Sequence, residues 1–298
     1  MSSARFRGAS RRLLPSSLVP RSSVQSAPRP FSSLGSGLFN PTVAWITTRA
    51  TLGRKRALLF AIPAVILIVV TVALKASHPP SRPWPSHVVG TFGFSVLLPL
   101  TALIIGSSVL GAEIDDGSVI HLLATPVRRS SVIVTKFAVA TVLTIIFAAV
   151  PELIAALISG GGYTEPVIKA GNPPVFTPGT AINNTDFAVG LFVGALVAAV
   201  IYNAIFVMVS AATTRAIAVG LLYVLIWEAL LSNFVSGARL LSVSHYALGI
   251  ANGIAHDSSL DAGLTVTVSI VMGAIVTVAA LLLAVNLLSS FTLKGEPA

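Results

Sequence analysis

The chain has 298 residues, 54% of them hydrophobic and only 10% charged, with a mean hydropathy of +0.90 and a formal net charge of +9. A soluble domain carries roughly 25% charged residues, so most of this surface must face something other than water, and lipid is the solvent that fits. Because there is no cysteine, disulfide frameworks, cysteine metal sites and thiol catalysis are excluded.

Residues 1–36 hold six arginines, eleven serines, four prolines and no acidic residue. Such a segment cannot bury enough apolar surface to offset its ordering entropy, and it reads as a disordered tail. The composition also fits an organelle transit peptide; a mispredicted start and a plain cytoplasmic tail are the simpler readings. Residues 37–56 differ, mixing Phe39, Val43, Ile46 and Leu52 with Trp45, Thr47, Thr48 and Arg49 ahead of the cluster Arg54-Lys55-Arg56. That pattern suits a short amphipathic elbow helix in the headgroup layer, with a frayed extension of the first span as the alternative.

Residues 57–288 contain six long apolar runs: Ala57–Leu74, Phe92–Leu110, Phe137–Ile158, Phe187–Ala212, Ala216–Val235 and Leu264–Leu288. Each is near the ~20 residues needed to cross a ~30 Å hydrocarbon core. Lipid offers no partner for free backbone groups, so the spans must be helical, and Pro63, Pro99 and Pro151 are expected to kink three of them. The expected fold is thus an all-α membrane protein with six transmembrane helices and a short tail over 289–298. With the N-terminus inside, fifteen Lys and Arg fall on the cytoplasmic side and four (Lys75, Arg82, Lys169 and Arg239) outside. The bias favours both termini in the cytoplasm. Ten of the nineteen basic residues precede the first apolar run, and no basic patch interleaves with stacking aromatics, which argues against nucleic acid as a partner.

Two outer segments are expected to differ. Residues 160–186, with five glycines and four prolines, read as an irregular loop. Residues 232–263 hold two apolar pieces too brief to span, which suit re-entrant or interfacial helices between spans five and six.

Between spans two and three lies GAEIDDGSVIHLLATPVRRSSVIVTKF. Glu113, Asp115 and Asp116 close the second span, Gly117 permits a sharp turn, and Ser118 or Asp116 can cap a new helix. Val119, Ile120, Leu122 and Leu123 form an apolar patch on about two turns, and Thr125-Pro126 ends them because the residue before proline leaves the α region. Arg128, Arg129 and Lys136 follow at the membrane surface. A short, capped, broken helix of this kind is what a membrane subunit inserts into a groove on a soluble motor. An ordinary interfacial helix burying its apolar face in headgroups is the other reading.

The string resembles the signature of the permease subunits of type-2 ABC exporters, in which acids close the second span, a Gly precedes a leucine-rich helix, a Pro with basic neighbours follows and a Lys opens the third span. Glu113, Gly117, Leu122, Leu123, Pro126, Arg129 and Lys136 fall in that order. The elbow, the six spans and the short helices before span six are similar to that family too, from Leu38 to Leu288. The stretch from Trp227 to Gly253 resembles many actinobacterial members. The resemblance implies a permease of the cell membrane that pairs with a second permease, identical or different. It also implies that the loop helix couples the permease to a separate ABC ATPase. The chain has no G-x-x-x-x-G-K-[ST] phosphate loop, so the expectation is a non-catalytic subunit without cofactor or metal.

Ionisable groups at membrane depth are costly and default to functional hypotheses. Glu152 in span three and Glu228 in span five are candidates for a translocation path, with Asn203 in span four as a polar partner for either; hydrated structural roles are the alternative. Gly190 and Gly194 form a small-xxx-small pattern that serves either within the protomer or at a dimer interface. The expected spans hold no His and no Asp, which argues against intramembrane proteases and prenyl transferases. An ion- or proton-coupled secondary transporter and a non-transporting scaffold or immunity subunit remain as rivals.

Overall fold

The computed structural model describes residues 39–77, 84–115, 129–162, 164, 167–169, 175–177, 179–257, 259–260 and 263–290. The chain divides into two units, Met1–Leu34 and Gly35–Ala298, and all described residues belong to the second.

Helix α1 (Pro41–Thr51) begins where the sequence can start a helix cheaply. The Asn40 side chain accepts from the amides of Thr42 and Val43, and Pro41 occupies a first-turn position that needs no N–H. Its exposure is inverted relative to a soluble helix: Thr47 and Thr51 are buried while Trp45 and Ile46 are exposed. A helix that hides threonines and shows tryptophan is solvated by lipid, as the elbow reading expects.

Among the described residues, five helices are long and apolar enough to cross a membrane: Ala57–Ser77, Ser86–Gly111, Ser130–Ser159, Asn184–Ala212 and Val266–Leu288. They lie within α2 (Arg54–Ser77), α3 (residues 86–115), α4 (residues 129–159), α5 (Asn184–Ala212) and α8 (Val266–Ser290). The expected fifth span is a shorter apolar helix, Ala216–Leu231, prolonged to residue 234 and called α6 below. Spans two and three start six and seven residues earlier than hydropathy places them. The added turns carry Ser86, Ser131, Thr135 and Lys136, all buried. Ser86, Thr135 and Lys136 are bonded to other segments, which a hydropathy window cannot register.

Among the described residues, three stretches are π-helical: Ser86–Leu97 in α3, Ile145–Ala149 in α4 and Tyr223–Leu231 in α6. Pro99 and Pro151 each sit just past one of them, at the switch back to α geometry. The wider turn gives room to the pyrrolidine ring, which otherwise collides with the carbonyl four residues back.

The segment between α4 and α5 contains an antiparallel ribbon, Val167–Lys169 with Val175–Thr177, so it is not wholly irregular as expected. Between α6 and α8 lie a 3₁₀ turn (Ser236–Leu241) and α7 (Val243–Ala255). Every residue from Val243 to Ala251 is buried, so α7 is a core element and not a surface cap.

Helix α5 stands at the centre of the core, against α3, α4, α7 and α8. The outermost helices, α2 and α8, are mostly exposed through branched apolar side chains such as Val65, Val69, Ile270 and Ile275. The small-xxx-small pattern has its partner inside the protomer. A Cβ added at Gly190 would lie 2.7 Å from the Ala251 carbonyl oxygen, and one at Gly194 would lie 2.7 Å from that of Ala247, both on α7. Hydrogen alone fits there. Gly194→Val is therefore expected to cost about 1–3 kcal/mol of overpacking, read as a lowered thermal midpoint in detergent, whereas Gly111→Ala, where nothing lies within 4 Å, leaves the midpoint unchanged.

Candidate functional site

The predicted loop helix falls between residues 116 and 128, so Gly117, Val119, Ile120, Leu122, Leu123, Pro126 and Arg128 lie outside the described residues. Its two feet are described. Glu113 lies in the last turn of α3 and Arg129 opens α4. Lys136 is fully buried, and its ammonium donates 2.7 Å to the Val109 carbonyl, tying the base of α4 to the end of α3. One residue earlier, the Thr135 hydroxyl donates to the Ser131 carbonyl and accepts from the Asn40 amide at 3.0 Å, so the elbow is fastened to the same base. The segment that sequence marks for a partner thus hangs from two helix ends that are bonded to each other and to α1.

A cavity of about 690 Å³ opens beside these feet. Leu59 and Phe60 of α2, Ile104, Ser107 and Ser108 of α3, and Arg215 ahead of α6 are among its walls. None of the three candidate path residues lines it. Ser107, Ser108 and Arg215 were missed in the sequence because single serines in an apolar run, with hydroxyls that can bond back to their own helix, carry no pattern.

The candidate path residues are held in three different ways. Asn203 donates to the Thr144 hydroxyl of α4 at 2.9 Å and to the Ala199 carbonyl at 2.7 Å, so it bridges α5 and α4 and pairs with neither acid. Glu152 is 1% exposed on α4, with its carboxyl against Gly93 of α3, where an added Cβ would lie 2.3 Å from Oε1. That oxygen has no hydrogen-bond partner among the described residues.

Glu228 is fully buried and the most heavily bonded acid in the bundle. Its Oε1 accepts from the Tyr223 hydroxyl at 2.8 Å and the Val243 amide at 2.9 Å. Its Oε2 accepts from the hydroxyls of Ser242 and Ser244 at 2.7 and 2.8 Å and from the Ser244 amide at 3.2 Å. Two of the five donors are the first amides of α7, which has no capping side chain at Ser242. A carboxylate brought from another helix takes the place of the local cap and meets the positive end of the helix dipole. The neighbouring bonds tighten the corner: Trp227 Nε1 donates 3.2 Å to the Leu241 carbonyl, and the Tyr246 hydroxyl donates to the Leu240 carbonyl. The donors lie up to 16 residues from Glu228 in sequence, so no local motif announces them.

A bundle of long, lipid-exposed apolar helices around a small-residue core defines a polytopic α-helical membrane protein. The chain belongs to the ABC-2 transporters: the family model described as ABC-2 family transporter protein matches residues 52–238, from the end of the elbow through α6. No curated protein matches the chain.

Replacing Glu228 by Gln turns one acceptor oxygen into an N–H₂ group that faces donors, leaving buried groups unpaired. The expected cost is about 2–4 kcal/mol, visible as a lowered thermal midpoint and as faster amide exchange at the start of α7. Unchanged exchange at Val243 and Ser244 would refute the cap.

Proposed function

We propose that this chain is the membrane subunit of an ATP-driven exporter, paired with a second permease and driven by a separate ABC ATPase that docks on residues 113–136. The family match over residues 52–238, which includes that loop, carries the reading. Lys and Arg are concentrated at the end of the bundle that bears the loop, so this end faces the cytoplasm and the protein sits in the cell membrane with both termini inside.

In this reading Leu122 and Leu123 insert into the ATPase, and Arg128 and Arg129 hold the loop at the headgroups. The bonds from Lys136 to Val109 and from Asn40 to Thr135 pass ATPase movement to α3, α4 and the elbow as one body. The cavity bounded by α2, α3 and Arg215 forms the inner part of the path. Of the polar residues at membrane depth, Asn203 and Glu228 hold helices together, and Glu152, with an oxygen to spare, is the one that meets cargo as α3 and α4 separate. The chain carries no phosphate loop of its own, so nucleotide hydrolysis belongs to the partner.

Co-expression with candidate ABC ATPases of the same organism tests the docking. The wild type co-purifies with its ATPase, and the double change Leu122→Asp with Leu123→Asp lowers recovery by at least about tenfold, as loss of buried apolar anchors does. Transport in vesicles that lack any ATPase, undiminished by the same changes, would overturn the reading.

A further inference from the structure

The groove between α1 and α4 is separate from the cavity just described. It encloses about 260 Å³ and is walled by Phe39, Thr48 and Leu52 on the elbow side and by Val139, Val142 and Ile146 among the residues of α4. Along α4 it runs from Ala138 to Ile146, which is about 12 Å at 1.5 Å per residue. One leaflet of a ~30 Å hydrocarbon core is ~15 Å deep, so the groove has the reach of a single acyl chain in a single leaflet. Thr48 supplies the one polar side chain in its wall, and that hydroxyl already donates to the Ala44 carbonyl at 2.8 Å. Whatever fills the groove is therefore hydrocarbon.

The rim has the opposite character. Arg49 is exposed, one residue after Thr48 and three before Leu52, and Arg54-Lys55-Arg56 open the next helix. These are four cations within eight residues, and residues 1–112 contain no Asp or Glu. Trp45 and Ile46 stand exposed on the same helix, as side chains at the boundary of headgroup and acyl chain do. An apolar slot one leaflet deep, beside an exposed arginine on a helix that shows tryptophan to the headgroup boundary, matches one chemistry.

We propose that the groove between α1 and α4 is a binding site for an anionic phospholipid, with one acyl chain lying between the elbow and α4 and the phosphate-bearing headgroup at Arg49, five residues before the Arg54-Lys55-Arg56 run in sequence. The lipid is then a structural part of the elbow joint, adding to the direct contact that the Asn40 amide makes with the Thr135 hydroxyl.

Trp45 reports on the site. The full chain is reconstituted in phosphatidylcholine vesicles containing either brominated phosphatidylglycerol or brominated phosphatidylcholine. The quenching lost in Trp45→Phe is assigned to Trp45. The wild type should prefer phosphatidylglycerol by about tenfold or more, and Arg49→Gln should lower that preference about fivefold, the share of one basic residue near an anionic surface. Ala138→Leu with Val142→Phe, which fills the groove and keeps every cation, should abolish it; both positions are at least partly exposed and tolerate bulk in lipid. Equal quenching by the two lipids in the wild type would overturn the proposal. So would a preference that survives filling of the groove, because charge in the headgroup layer would then account for it without a chain site. If the filled variant does not fold, Arg49→Gln decides alone, and an unchanged preference there also refutes the site.

Discussion

The contact on which the bundle turns is that between α5 and α7. In hydrocarbon, apolar side chains gain little by leaving lipid for one another, so helices associate through close packing and through polar groups that have no water to turn to. Gly190 and Gly194 remove the side chains from one face of α5, and the carbonyls of Ala251 and Ala247 on α7 come down onto that bare backbone. A short helix that could not span the membrane is thereby held in its interior. Once α7 is there, its N-terminal amides are buried and need an acceptor. The Glu228 carboxylate supplies it, and in doing so fixes α6, Tyr223 and the corner at Ser242. One glycine pair thus sets in train the burial of α7, the need for an anion and the position of a third helix.

The two ends of the bundle are fastened by different chemistry. At the end where α3 stops and α4 starts, Lys136 reaches the Val109 carbonyl and Thr135 receives the Asn40 amide, so α1, α3 and α4 share a base. At the other end, Asp257 accepts from the Ser86 hydroxyl at 2.5 Å and from the Ser259 amide at 2.9 Å, joining the start of α3 to the segment after α7. Lys75 closes α2 on the Ile158 carbonyl of α4. Between these two fastenings the helices meet mainly through alanine, glycine and branched apolar side chains.

The order of the apolar helices was legible, with the expected fifth span shorter than read, because crossing lipid demands an unbroken apolar length that is met residue by residue along the chain. The elbow was legible for a related reason, since Trp45 and Ile46 beside Arg49 have one comfortable environment. Helix ends were read less well, because Ser86 and Lys136 are polar yet lie inside protein. The π-helical stretches beside Pro99 and Pro151 were not legible at all; proline announces a disturbance but not how the backbone will absorb it. The two intramembrane acids looked alike in sequence, and their surroundings differ completely: Glu228 answers five donors, while Glu152 rests on a glycine.

Composition and hydropathy by themselves determined that this is a helical membrane protein and which way its charge is biased. Those properties depend on the solvent around each segment, and a linear chain records its solvent. The partner of the Gly190/Gly194 face, the separate fates of Glu152, Asn203 and Glu228, the cavity beside Arg215 and the groove under the elbow were decided only by the tertiary structure. Each of them depends on which residues far apart in the chain come within a few ångströms of one another, and one sequence read alone carries no record of that.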